Sequence, residues 1–71
     1  MGREHKGYRI EVRSYRAPGG LWRPEIRLAV PYQGRVTERQ LVAPPDRRFE
    51  TQEQADQYGM QHAILWIETH G

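Results

Sequence analysis

The chain has 71 residues, of which 37% are hydrophobic and 28% charged, and its formal net charge is +2. A chain of this length holds one domain with a small core, because a domain of about 60 residues buries only about 60% of its unfolded surface. The absence of cysteine excludes a disulfide scaffold, a thiolate zinc site and a thiol nucleophile.

The mean hydropathy of −0.93 raises the question of disorder. A near-balanced charge together with two Trp, four Tyr and one Phe argues instead for a folded chain. The longest apolar run, Ala63–Ile67, falls far short of the roughly 20 residues of a membrane-spanning helix. Met1–Lys6 has no apolar stretch of the secretory kind. The expectation is a single small cytoplasmic domain over 1–71, with 1–6 as a tail and no membrane partner.

Charge is distributed unevenly. All eleven Lys and Arg lie between Arg3 and Arg48, against five acids there, a surplus of six. From Phe49 onward there are four acids and no Lys or Arg. Such asymmetry points toward an anionic partner.

In chain order, Gly7–Arg16 alternates Tyr8, Ile10 and Val12 with Arg9, Glu11 and Arg13, the period of a half-buried strand. Ala17-Pro18-Gly19-Gly20 reads as a turn. Leu21–Val30 alternates again, with Trp22, Ile26, Leu28 and Val30 on one face and Arg23, Glu25 and Arg27 on the other. Pro24 lacks an N–H, so its nitrogen must face a gap, an edge or a bulge. After a turn at Pro31–Gly34, Arg35–Val42 is a third strand. Val36 and Val42 would face inward, yet Glu38 and Gln40 share their parity, so either part of the run is unpaired or a bulge resets it.

Ala43–Arg48 is a proline-stiffened loop. Thr51 then stands as a helix N-cap with Gln54 at the third position, a capping box, and Glu53 complements the helix dipole. The helix is expected over 52–68, with Ala55, Gly59, His62, Ala63 and Trp66 on its packing face. The predicted fold is α+β, β-β-β-α: a three-stranded antiparallel sheet with one C-terminal helix packed on one face. Ala55, Gly59 and Ala63 would allow close approach, and Trp22, Phe49 and Trp66 would fill the remaining volume.

Catalytic groups are sparse. Ser14 lacks a glycine elbow and reads as a solvated hydroxyl at a strand end. His5 lies in the tail and His70 near the C-terminus. His62 reads as a partly buried packing histidine, and it stands eight residues from His70, so the two do not make a helical metal pair. Glu53 and Asp56 are explained by capping and solubility. No glycine spacing makes a phosphate loop. The sequence therefore points away from an enzyme, and no motif calls for a cofactor, a metal or a small-molecule substrate.

The solvent face of the sheet is richer. By parity it would carry Arg9, Arg13, Arg23, Arg27, Arg35 and Arg39 with Glu11 and Glu25. Ten of the eleven basic residues are Arg, whose planar guanidinium suits phosphate and guanine. A half-wet antiparallel sheet also needs polar residues there without any ligand, and Arg–Glu pairs serve that need equally well. With Tyr15 as the one aromatic on that side, a duplex fits better than a single strand.

Trp22-Arg23-Pro24-Glu25-Ile26-Arg27 followed by Phe49-Glu50-Thr51-Gln52-Glu53-Gln54-Ala55 resembles the layout of AP2-type and phage-integrase arm-type DNA-binding domains. That resemblance implies DNA reading by the exposed sheet face, with Glu25 and Arg27 at contact positions and Arg9 and Arg13 matching only loosely. Tyr8-Arg9-Ile10 stands in place of the Tyr-Arg-Gly opening. The chain is also similar to small uncharacterised bacterial proteins ending in a helix like Phe49–Ile67, a likeness that implies no activity. The leading expectation is a non-enzymatic module binding duplex nucleic acid through this face. The alternative is a protein-interaction or self-associating module, with Met60, Ile64 and Ile67 as an exposed apolar patch on the helix.

Overall fold

The computed structural model describes residues 2–44 and 46–70; Met1 of the expected tail, Pro45 of the loop and Gly71 lie outside them. Strands β1 (Gly2–His5), β2 (Tyr8–Arg16), β3 (Trp22–Tyr32) and β4 (Arg35–Leu41) are followed by helix α1 (Gln52–His70). The strands form one antiparallel sheet in the order β1-β2-β3-β4. The fold is α+β with a C-terminal helix, and the sheet has four strands rather than three. The segment expected as a tail supplies the extra strand. Lys6 and Gly7 at φ 50° and 82° make the two-residue hairpin turn that returns β1 onto β2. Gln33 and Gly34 at φ 50° and 75° do the same between β3 and β4.

The core forms where α1 crosses β2 and β3. Ile10, Val12, Ile26 and Leu28 from the strands meet Ala55, Met60, Ala63 and Ile67 of the helix, all buried. Gly59 permits this approach, because a Cβ there would fall 2.8 Å from Val12 Cγ1 and 3.0 Å from Pro24 Cβ. The N-cap is formed: Thr51 Oγ1 accepts from the Gln54 amide at 3.1 Å, satisfying one of the free donors of the first turn. His62 is half-buried and stacks on Tyr58 at 5.9 Å.

The proposed helix patch is not exposed. Met60 and Ile67 are buried, and Ile64 is half-buried against the core. At 100° per residue the buried arc centres near Ala63, about a sixth of a turn from the expected centre beside Trp66. Leu65 is the exposed apolar residue in its place. The same rotation turns Asp56 toward the sheet, where it accepts a hydrogen bond from Ser14 Oγ. Ser14 is thus a tie between strand and helix rather than a solvated hydroxyl.

Both prolines of β3 face places where pairing has ended. Trp22 exchanges backbone hydrogen bonds with Phe49 at 2.7 and 2.9 Å, so the even-numbered groups of β3 point toward the β4 side. The β4 ladder begins only at Ile26, and the Pro24 nitrogen looks into the gap between Phe49 and Leu41. Pro31 faces the β2 side, beyond the last pair, Arg9 with Ala29.

Candidate functional surface on the open sheet face

The helix covers one face of the sheet, and the register fixes what the other presents. Across the strands Glu4, Arg9, Ala29 and Glu38 form one row, and Glu11, Arg27 and Gln40 the next. Arg13 stands opposite Glu25, and Tyr15 opposite Arg23. The parities of β2 and β3 are those expected from the sequence, so Arg9, Arg13, Arg23, Glu25 and Arg27 do share this face.

Strand β4 differs by one residue. Leu41 is buried and pairs with Ile26, while Val36 and Val42 are 70% and 78% exposed. Leu41 therefore sets the register, and an unbroken ladder from Leu41 to Arg35 carries no bulge. Arg35, Thr37 and Arg39 lie on the helix side, and Val36, Glu38 and Gln40 on the open side. A one-residue slip moves every side chain to the other face, and here it removes two arginines from the expected surface. Arg39 instead lies over the Trp66 ring at 5.1 Å.

Charge on the open face is consequently balanced. Arg9, Arg13, Arg23 and Arg27 are met by Glu4, Glu11, Glu25 and Glu38. Arg27 pairs with Glu25 at 3.3 Å, whereas neither Arg9 nor Arg13 forms an ion pair among the described residues. Arg23 is half-buried at the sheet end, its Nη2 reaching the Ala43 carbonyl at 3.5 Å and its buried Nε without a partner. It is the least available of the four.

Between β2, β3 and β4 this face dips into a shallow depression whose apolar lining includes Ala29, Pro31 and Val36. Arg9, Glu11, Arg27 and Glu38 surround it. Two signals in the sequence pointed to this arrangement: Glu38 shares parity with Val36, and Lys6-Gly7 is a hairpin turn that brings Glu4 beside Arg9.

At the far end of the helix, Glu68 accepts from His5 Nε2 at 2.8 Å and from Lys6 Nζ at 2.7 Å. The hydrogen bond from Lys6, followed by that from His5, holds the Glu68 carboxyl below the usual carboxylate range. Among the described residues no group of three or more His, Asp or Glu stands together as metal ligands. No helix among them is long and apolar enough to cross a membrane.

A family model described as Domain of unknown function (DUF6566) matches residues 1–71, and the chain belongs to that family. No curated protein and no solved structure matches it.

Proposed function

We propose that the chain is a non-catalytic protein-interaction module that docks its partner on the open face of the sheet. The observation that carries this reading is an uncovered apolar depression bordered by Arg9, Glu11, Arg27 and Glu38, on a face whose four arginines are balanced by four glutamates. An apolar centre within a polar rim, with Arg among the rim residues, is the composition of a protein contact. A surface that tracks phosphates has an excess of cations, and four carboxylates on the same face oppose a polyanion.

A photo-crosslinking amino acid placed at Val36, compared with one at Gln57 on the outer side of the helix, tests the reading in the cell. A discrete protein adduct from position 36, absent from position 57 and abolished by Arg27→Glu, is the expected result. Adducts that persist equally at both positions would overturn it.

A second reading, duplex nucleic acid on the same face, is favoured by one observation: Arg9 and Arg13 are exposed and form no ion pair among the described residues. Amide-shift titration with a short duplex at two salt concentrations tests it. Shifts at Arg9, Arg13 and Arg27 that fade steeply with salt support nucleic acid, and their absence at low salt removes it.

A further inference from the structure

Strand β4 is an open edge. Among the described residues it pairs only with β3, and Arg35–Gln40 are all exposed. In its ladder the backbone groups of Arg35, Thr37, Arg39 and Leu41 face β3, so those of Val36, Glu38 and Gln40 face outward. Folded proteins usually guard such an edge with charged side chains, lysine above all, or with proline, a bulge or a very short strand. The opposite edge, β1, is four residues long. Strand β4 has seven residues, contains no Pro or Lys, and keeps its register unbroken, so its guard is the charge of Arg35, Glu38 and Arg39 alone.

A second copy is a poor occupant. The two-fold antiparallel registers with the greatest overlap set Arg35 against Arg39, Glu38 against Glu38, or Arg39 against Arg39 of the other chain. Like charges directly opposite each other destabilise a strand pair. The edge thus resists its own copy while leaving its amides unpaired.

We infer that β4 receives an extended segment of a different protein as an added antiparallel strand, with acidic residues opposite Arg35 and Arg39. On the helix side those two arginines flank Thr37, and Arg39 is held in place over Trp66. On the open side Val36 calls for an apolar neighbour and Glu38 for a basic one. The complementary segment, read from its N-terminus, is acidic, basic, β-branched, apolar, acidic. Main-chain hydrogen bonds supply affinity in such strand addition, and the alternating side chains supply selectivity. This inference rests on the protein-interaction reading in taking a protein as partner, but it uses the edge rather than the face.

The test uses a capped peptide with the core Glu-Lys-Thr-Val-Glu and the charge-swapped control Lys-Glu-Thr-Val-Lys, titrated into the full chain. The first peptide should shift and protect the amides of Val36, Glu38 and Gln40, with the control at least about tenfold weaker. Glu38→Pro removes an outward N–H and leaves the β3 ladder intact, a position where an edge strand tolerates proline. It should abolish the shifts while the circular dichroism stays unchanged. Equal binding of both peptides, unaltered binding by Glu38→Pro, or a mass that doubles with concentration would overturn the inference. Crosslinking at position 36 that survives Glu38→Pro leaves face docking standing when the edge fails, so the two readings fail separately.

Discussion

Gly59 sits directly on Val12, near enough that an added Cβ would lie 2.8 Å from Val12 Cγ1, with Pro24 and Ile26 closing in from the neighbouring strand. The helix is seated at a distance only glycine permits. Alanine would raise helix propensity by about 1 kcal/mol, but overpacking typically costs about 1–3 kcal/mol. All three contacts come from β2 and β3, the two interior strands of the sheet, which have little freedom to retreat. Gly59→Ala is therefore expected to lower stability, by up to about 2 kcal/mol in urea unfolding. A rise in stability would show that the helix is less tightly seated.

The register of β4 makes opposite predictions for two apolar residues. Leu41→Ala removes a buried side chain and should cost about 2 kcal/mol or more. Val36→Ala removes one that is 70% exposed and should stay within about 0.5 kcal/mol. Comparable losses in both variants would contradict the ladder that pairs Leu41 with Ile26.

The cap at Thr51 is a local feature with a local cost. Thr51→Ala leaves the Gln54 amide without its acceptor and should destabilise by about 1 kcal/mol. Thr51→Asp, which keeps an acceptor and adds negative charge at the helix N-terminus, should recover most of that loss. Failure of the aspartate to recover it would place the importance of Thr51 elsewhere than in the cap.

Glu68 gives the molecule an acid-sensitive tie. Its carboxyl is held below the usual range by Lys6 and then by His5, so the folded state favours the ionised form more than the unfolded chain does. That contribution is fully present above the ordinary carboxylate pKa and is lost as pH falls through the lowered folded value. The stability gap between the native chain and Glu68→Gln should therefore narrow on acidification from neutral pH. A gap independent of pH would mean that the contact contributes nothing through charge.

These predictions separate what was readable in the residues from what was not. The capping box and the Ala55–Gly59–Ala63 stripe are local patterns, and each maps onto a single contact in the fold. Parity in β2 and β3 was legible because each strand buries two apolar residues of a single parity, Ile10 and Val12 in β2 and Ile26 and Leu28 in β3. In the expected strand Arg35–Val42 the two valines outweighed one leucine, although the lone buried residue, Leu41 at the end of β4, decides the register. Strand β1 was missed because Gly2–His5 has no apolar alternation; only the Lys6-Gly7 turn announces it. The burial of Met60 and Ile67 followed from a helix rotation too small for its apolar residues to specify in isolation, with Trp66 drawing the expected centre toward itself. The charge balance of the open face depends on both of the strands misassigned, β1 for Glu4 and β4 for Glu38.

The two tryptophans occupy opposite ends of the molecule. Trp22 is bonded through its backbone to Phe49, just ahead of the helix, whereas Trp66 lies in the last turns, against Tyr8 and beneath Arg39. A helix of 19 residues, about 28 Å in length, runs between these neighbourhoods. The chain thus carries a native optical probe at each pole. Trp22→Phe and Trp66→Phe each leave one emitter, and their unfolding curves report separately whether the loop end and the hairpin end come apart as one cooperative unit.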